Sequence, residues 1–171
     1  MRVRPEIHRN TVAPIWAVLS FLSCTIMFAT GASAREDVRG IWIDDSGKGA
    51  VELRLCGNRK QSMCGYIVWL RNPISRSGKP LRDVLNPEPR NRKRPICGLQ
   101  IIGRLKPQTN GSWDNGWIYD PKQGKAFDVA LRLHDQDRLK VTGYLGIKLF
   151  SESFIWRRAP DKFDRCTSKR S

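Results

Sequence analysis

The chain has 171 residues, of which 40% are hydrophobic, and its formal net charge at pH 7 is +15. This length suits one domain with a core of ordinary size and gives no indication of a second domain. A charge this positive makes anionic partners the first to consider.

Residues 1–34 have the features of an export signal. Three arginines form a basic head, residues 13–30 form an apolar run, and Ala32-Ser33-Ala34 is the small-x-small pattern that signal peptidase cleaves. We expect cleavage after Ala34 and a mature protein in the periplasm or outside the cell. An uncleaved membrane anchor is the alternative, because the apolar run approaches the roughly 18 residues of a membrane helix. Cleavage would lower the net charge from +15 to +13, since three arginines and one glutamate would be lost.

An alternation of apolar and polar residues dominates the chain after residue 34. It is clear in Val51-Glu52-Leu53-Arg54-Leu55 and again over 127–133. Each such run predicts a β-strand with one buried face, and turn-forming residues separate the runs. No convincing amphipathic helix interrupts them. The predicted strands are 38–43, 50–55, 64–70, 96–105, 112–119, 125–133, 137–143 and 146–157, and a break near Ser151 would make nine.

About eight short antiparallel strands have two ways to protect their edges. They close into a barrel, or they pack as a sandwich of two sheets. About eight strands is also the size at which a barrel is either filled by its own side chains or holds one small ligand. The alternation alone does not distinguish a filled barrel from a hollow one.

Four cysteines follow residue 34: Cys56, Cys64, Cys97 and Cys166. An even number in an exported protein predicts disulfides, and three pairings are possible. Cys56 and Cys64 flank a polar turn between two predicted strands and could pair across a hairpin, in which case Cys97 would join Cys166. A zinc site is the alternative, but neither a CxxC motif nor a histidine accompanies these cysteines.

Residues 71–95 break the strand pattern. They contain eight basic residues, two acidic residues and five prolines, which prevent regular pairing. A segment this long is a lid over a barrel mouth, a cationic arm that contacts anionic lipid or polysaccharide, or a mobile linker. Nucleic acid is not expected as a partner, because export separates the protein from it.

Three polar residues are candidates for ligand contacts at such a mouth: Asp83, Asn86 and Asp120. The structural alternative is a turn in which the side chain bonds the nearby backbone, since Asn86 and Asp120 both precede a proline. Aromatic residues are better candidates, because they combine a large apolar area with a polar group. The aromatic candidates are Tyr66, Trp69, Tyr119 and Tyr144. They would form an aromatic pocket or belong to an ordinary core.

Enzyme chemistry has little support. His134 is the single histidine after residue 34, and no serine elbow, metal-spaced histidines or glycine-rich phosphate loop accompanies it. Glu52 and Asp120 form a conceivable carboxylate pair for glycoside hydrolysis, but sequence does not give their separation. We therefore predict a protein that is not an enzyme and uses no metal or cofactor. A hydrolase that acts on envelope material through Asp83, Asp120 or His134 is the less favoured alternative.

A series of short motifs over residues 38–158 resembles the uncharacterised bacterial family DUF2147. The motifs are Gly40-Ile41-Trp42, Cys64-Gly65-Tyr66-Ile67-Val68-Trp69-Leu70, Asp83-Val84-Leu85-Asn86-Pro87, Cys97-Gly98-Leu99, Gly116-Trp117-Ile118-Tyr119-Asp120-Pro121, Gly124-Lys125, Gly143-Tyr144-Leu145-Gly146 and Trp156-Arg157. The resemblance implies a small exported protein with a lipocalin-like barrel, and it implies no established activity. Two departures are Ala126-Phe127, where the family pattern has a tyrosine, and the unusually basic 71–95 segment.

The calycin pattern, shared by lipocalins and their relatives, also implies roles for residues at one barrel end. In that pattern Gly40 lets the chain approach closely and Trp42 plugs the barrel. Arg157, after the structural Trp156, is expected to pack over Trp42 with a cation–π contribution of roughly 0.5–2 kcal/mol.

Together these observations predict an all-β protein. It is a small antiparallel up-and-down barrel of about eight strands over residues 35–160, with the basic loop 71–95 and a tail at 161–171. The expected function is the binding of one small apolar or amphipathic ligand by a monomer. The alternative is attachment of a solid barrel to an anionic envelope surface of lipid or polysaccharide.

Overall fold

The computed structural model describes residues 37–166, so the predicted export signal lies outside the described residues. Eight strands make up the fold: β1 (Gly40–Ile43), β2 (Gly49–Cys56), β3 (Ser62–Leu70), β4 (Gln100–Pro107), β5 (Trp113–Asp120), β6 (Lys125–Leu133), β7 (Arg138–Leu145) and β8 (Ile147–Arg158). A 3-10 turn at Pro89–Asn91 is the other regular element in this part of the chain. No helix within 37–166 is long and apolar enough to cross a membrane.

The strands form a closed antiparallel barrel in sequence order, in which β8 pairs back with β1. The closing register places Trp42 opposite Arg158 and Ile43 opposite Arg157. Closure protects every strand edge, which is the physical reason that so many short strands are stable together. The predicted all-β barrel is confirmed. β8 continues without a break through Ser151, so the strand count is eight and not nine.

The barrel has two ends with different connections. Because neighbouring strands run in opposite directions, alternate connections lie at the same end. One end, which we call the mouth, has the connections 44–48, 71–99, 121–124 and Gly146. The other end, which we call the base, has the connections 57–61, 108–112 and 134–137. The chain also enters the barrel at the base before β1 and leaves it there after β8.

Apolar side chains fill the interior near the base. One face of each strand points inward, and in this half the inward residues are almost completely buried: Leu53, Met63, Leu105, Leu131 and Leu139. Trp42 has no exposed surface, and its indole N–H donates to the Val38 carbonyl at 2.8 Å. The base therefore holds the packed core of the protein.

Arg158 closes the base over Trp42. Its guanidinium carbon lies 4.2 Å from the centre of the Trp42 ring, and its Nε donates to the Gln136 carbonyl at 2.6 Å. The two terminal nitrogens donate to the carbonyls of Arg39 and Asp37, each at 3.1 Å. One side chain thus joins β8, the β6–β7 turn and the segment that leads into β1.

The prediction that Arg157 packs over Trp42 is wrong, because side chains alternate along β8. Trp156 is buried inside the barrel, so Arg158, two residues further on, shares its face, while Arg157 points outward and is exposed. Gly40 has the expected role. Its φ is +120°, and a Cβ there would lie 3.0 Å from the Arg158 guanidinium, so only glycine leaves room for this closure.

Two disulfides reinforce the barrel wall, Cys56–Cys64 and Cys97–Cys166. The first spans the β2–β3 hairpin. The second joins the segment after β8 to the long mouth connection. The Cys166 amide donates to the Val68 carbonyl at 2.7 Å, so this segment reaches the outside of β3. The disulfide prediction is confirmed, and of the three possible pairings the hairpin arrangement is present.

Candidate functional site

The mouth half of the barrel is hollow. A cavity of about 900 Å³ opens at the mouth, and its lining residue nearest the base is Trp156. Pockets that bind small molecules typically measure about 300–1,000 Å³ and have mainly apolar walls. The walls here come from six consecutive strands and are apolar: Ile67, Ile101, Ile118, Phe127, Val141 and Phe154.

Small residues explain why this half stays empty while the base is filled. Gly143 lines the cavity, and a Cβ built on it would have no atom within 4 Å. Gly49 and Ala50 line the wall on β2. The β2–β3 register shifts between Ala50 and Val51, and both of these neighbours line the cavity. A larger side chain at Gly143 would occupy the space that a ligand needs, whereas a Cβ at Gly49 would lie 2.8 Å from the Asp44 carboxylate.

The charged residues that line the cavity come mostly from the mouth connections: Asp44, Asp45, Lys48, Arg82, Asp120, Lys122 and Glu152. Two of the carboxylates cap their own turns. Asp44 Oδ1 accepts from the Lys48 amide at 3.1 Å, and Asp120 Oδ1 accepts from the Lys122 amide at 2.8 Å. For Asp120 this is the turn predicted as the alternative to a ligand contact. Of the basic residues at the rim, Arg82 donates from its guanidinium to the Lys93 carbonyl, whereas Lys48 and Lys122 take part in these turns through their backbone amides.

A buried carboxylate anchors the long mouth connection. Asp83 has no exposed surface, and its Oδ1 accepts from the Tyr119 hydroxyl at 2.7 Å. Its Oδ2 accepts from Asn86 Nδ2 at 2.7 Å and from the Arg94 guanidinium at 2.9 Å. Asn86 Nδ2 also lies 3.1 Å from the Tyr119 hydroxyl. Asp83 and Asn86 therefore hold the connection to β5 and do not line the cavity.

A close backbone approach strengthens this attachment. At Gly124, in the β5–β6 turn, a Cβ would lie 2.0 Å from the Leu85 carbonyl oxygen. The φ of +67° at Gly124 also favours glycine. Leu81, Arg82 and Ile96 from the same connection line the cavity. These contacts favour the lid interpretation of residues 71–95 over a mobile linker.

We expect Asp83→Asn to loosen this lid without unfolding the barrel. The amide removes the charge that strengthens the hydrogen bonds from Arg94 and Tyr119, so the free energy of unfolding should fall by about 1–2 kcal/mol. Amide hydrogen exchange over 81–96 should become faster than in the parent. Glu88→Gln is the control, because Glu88 is an exposed partner of Arg90 in the same connection. Unchanged exchange in Asp83→Asn would show that Asp83 does not hold the lid.

The hydroxyls of the two cavity tyrosines are already engaged. Burial, and then the hydrogen bond to Asp83, raises the pKa of Tyr119. Burial, and then the hydrogen bond from its hydroxyl to Asp114 at 2.8 Å, raises the pKa of Tyr144 to about 12. Both phenols therefore stay protonated at neutral pH and donate to carboxylates. Neither hydroxyl is free to contact a ligand.

Tyr66 and Trp69 lie outside the cavity, on the outer face of β3. The Arg54 guanidinium covers the Tyr66 ring at 4.1 Å. The Trp69 ring packs edge-on against Phe163, with 5.6 Å between the ring centres. The structure thus brings Tyr119, Asp120 and Tyr144 to the cavity and leaves these two aromatic residues on the wall.

Sequence reasoning missed much of the cavity. Phe127 and Phe154 follow the strand alternation and could have been assigned from it. Phe127 also stands where the family pattern has a tyrosine, and it adds an apolar ring without a hydroxyl to the wall. Leu149 and Phe150 at the rim have no such signal, because the alternation ends before them.

The histidine considered for a hydrolase lies at the opposite end of the barrel from Asp83 and Asp120. His134 is exposed in the β6–β7 turn at the base, whereas Asp83 and Asp120 lie at the mouth. Glu52 is on the outer wall, where it pairs with arginines. Within 37–166 no group of three or more His, Cys, Asp or Glu residues is placed to hold a metal ion. These candidates therefore do not meet in one site.

Comparisons with known proteins agree with this architecture. The family model DUF2147, described as an uncharacterized protein conserved in bacteria, matches residues 40–158. One similar solved structure bears the description "Protein HP1028 from the human pathogen Helicobacter pylori belongs to the lipocalin family". It has a TM-score of 0.61 and 23% identity and covers 73% of this chain and 84% of that chain, a similarity that shows the fold alone. A search of curated proteins gives no significant match. Since the family match runs from β1 through β8, the chain belongs to the DUF2147 family, and its fold is a lipocalin-like barrel.

Proposed function

We propose that the protein binds one small apolar or amphipathic molecule in its barrel and does not transform it. The observation that carries this proposal is the hollow apolar mouth half above a filled base. Transfer of apolar ligand surface from water into such a cavity contributes about 25 cal/mol per Å². The cavity is large enough for one such molecule.

The rim supports the amphipathic form of the ligand. Lys48, Arg82 and Lys122 line the cavity at its open end, while Phe127, Val141 and Phe154 line its depth. A molecule with an apolar body and a polar end would bury its body and leave its polar end among the charged groups of the rim, which also include Asp44, Asp45, Asp120 and Glu152. Shape and apolar area would supply most of the affinity, and the rim would set the orientation.

The place of action that fits this proposal is the periplasm or the cell exterior. Two disulfides within the barrel accord with an oxidising compartment. The proposed export signal at residues 1–34, cleaved after Ala34, leads to the same compartment. Sequencing the N-terminus of the protein recovered from an exporting host tests this proposal.

The binding proposal is tested by titration with N-phenyl-1-naphthylamine, a neutral apolar probe whose emission rises in apolar surroundings. We expect saturable binding of one probe per chain. The affinity should change little between low and physiological salt, because the interaction is not between surface charges. Absence of probe binding to a folded barrel would contradict the proposal, and turnover of a substrate that stops in Asp120→Asn or His134→Ala would favour the hydrolase instead.

A second candidate function is attachment to an anionic envelope surface. Of the eight basic residues in 71–95, two form ion pairs within the described residues, Arg90 with Glu88 and Arg94 with Asp83. Arg82 and Arg92 donate to the carbonyls of Lys93 and Asn86 in the same connection. The remaining cations of the segment form no ion pair or side-chain hydrogen bond within the described residues and are available for an anionic partner: Arg71, Arg76, Lys79 and Lys93. Attachment of this kind should weaken as salt increases, which distinguishes it from binding in the cavity.

A further inference from the structure

Large apolar side chains are exposed at one end of the barrel. Seven of the eight exposed large hydrophobic residues among the described ones lie at the mouth: Ile74, Val84, Leu85, Leu145, Ile147, Leu149 and Phe150. Leu149 and Phe150 are 81% and 73% exposed. The eighth residue, Ile155, lies on the outer wall towards the base. Such a concentration at one end marks an interaction surface, because soluble proteins rarely expose contiguous apolar patches.

The β7–β8 hairpin carries the most exposed part of this surface. Tyr144 pairs with Ser151, but the next pair is Leu145 with Ile147, so three residues of β8 have no partner in β7 between these pairs. The unpartnered residues are Lys148, Leu149 and Phe150. We call residues 145–150 the hairpin tip. The tip borders the opening, because Leu145, Leu149 and Phe150 also line the cavity.

The apolar surface coincides with the positive end of the molecule. The mouth connections contain ten basic and four acidic residues. The base connections, together with residues 37–39, contain three of each. The charge of the described connections is therefore concentrated at the mouth, next to the exposed apolar side chains.

We propose that the mouth docks on an anionic lipid bilayer. The hairpin tip, with Val84 and Leu85, would insert between the lipid head groups, and the basic residues of 71–95 would contact their phosphates. Stable attachment to a membrane surface generally needs two contributions, apolar insertion and electrostatic attraction, and this end of the barrel has both. A second copy of the chain fits less well, because two positive mouths would repel each other.

Docking in this orientation places the cavity opening on the bilayer. The docking surface itself does not depend on the proposed ligand. The route of entry does rest on the proposed function, because it supposes that an apolar molecule enters the barrel directly from the lipid phase. This route would spare the ligand a passage through water.

Vesicle sedimentation with paired variants tests the docking surface. The protein would begin at Arg35, since the closed barrel lies wholly within residues 37–166. Vesicles of phosphatidylcholine would be compared with vesicles that also contain phosphatidylglycerol. The double variant Val84→Ser/Ile147→Ser removes two exposed apolar side chains that do not line the cavity. Ile155→Ser is the matched control, an exposed isoleucine on the same strand away from the mouth.

We expect the parent to bind the anionic vesicles and to be released by salt. The partition coefficient of the double variant should fall by about tenfold or more, while that of Ile155→Ser stays at the parent value. Binding of N-phenyl-1-naphthylamine should be the same in all three proteins. Retention of probe binding would show that the variants are folded. It would also show that the loss of vesicle binding does not come from a change in the cavity.

Three results would overturn the docking proposal. The first is that the parent binds the probe but not the anionic vesicles, in which case the proposed function stands alone. The second is that the control loses as much vesicle binding as the double variant. The third is that the parent forms a dimer without lipid and the double variant does not, which would assign the surface to a second copy. A parent that binds vesicles as expected but takes up no probe would instead refute the proposed function and leave the docking surface supported.

Discussion

Replacement of Gly143 by phenylalanine should reduce the affinity for N-phenyl-1-naphthylamine by about tenfold or more and leave the barrel folded. Gly143 lines the cavity, and a Cβ built on it would have no other atom within 4 Å. A benzyl group there would extend from this open position into the ligand space. Glycine is also unfavourable in a strand interior, so the substitution carries no inherent loss of stability.

Thr142→Phe is the matched control for this prediction. Thr142 precedes Gly143 on β7, but its side chain is outside the cavity, with its Oγ1 2.9 Å from Ser153 Oγ. The same ring would therefore sit on the outer wall and leave the probe affinity near that of the parent. Circular dichroism and urea unfolding check that both variants are folded. Equal probe affinity in Gly143→Phe and the parent would place the binding site somewhere other than the barrel interior.

Arg158→Ala should lower the free energy of unfolding by about 2–4 kcal/mol. The substitution removes the cation over Trp42 and the donors to two carbonyls at the entry of β1 and one in the β6–β7 turn. Loss of the guanidinium opens the base at the seam where the barrel closes. Urea unfolding followed by circular dichroism measures the change.

Arg157→Ala is the control, because the Arg157 side chain is exposed and points outward from the barrel. Its effect should stay within about 0.5 kcal/mol of the parent. Probe binding per folded molecule should be unchanged in Arg158→Ala, since the cavity opens at the mouth. A loss of binding at unchanged stability would mean that the ligand site is at the base, and similar destabilisation by both variants would contradict the closing role of Arg158.

Much of the barrel could be predicted because period-two alternation is a local signal. The predicted strand 125–133 has the same bounds as β6, and 50–55 differs from β2 by one residue at each end. The predicted strand 96–105 begins too early. Residues 96–99 are apolar, but they form a turn in which Gly98 has a φ of +84° before β4 starts at Gln100.

The closing arginine needs two signals together. The calycin pattern asks for a late basic residue and does not distinguish Arg157 from Arg158, whereas alternation from the inward Trp156 leads to Arg158. Asp83 shows a different limit. Its partner Tyr119 is 36 residues away, and no local spacing reveals that these two side chains meet.

The cavity was beyond local patterns for a related reason. Whether a barrel is hollow depends on the summed size of inward side chains from many strands, and here small residues such as Gly143 and Ala50 line the same cavity as the larger Phe127 and Phe154. The family motifs include cavity residues such as Ile67, Ile118 and Gly143, but nothing in the motifs separates these from residues with another role. Asp83, Tyr119 and Gly124 also belong to the motifs and fasten the long connection to the mouth.

The most direct test of a hollow binding barrel is native mass spectrometry of the protein purified from an exporting host without detergent. We predict a complex of one chain with one small molecule, which solvent extraction releases as an apolar or amphipathic compound. The same preparation of Gly143→Phe should carry little or none of it. A parent barrel that is folded, carries no small molecule and takes up no apolar probe would contradict the account.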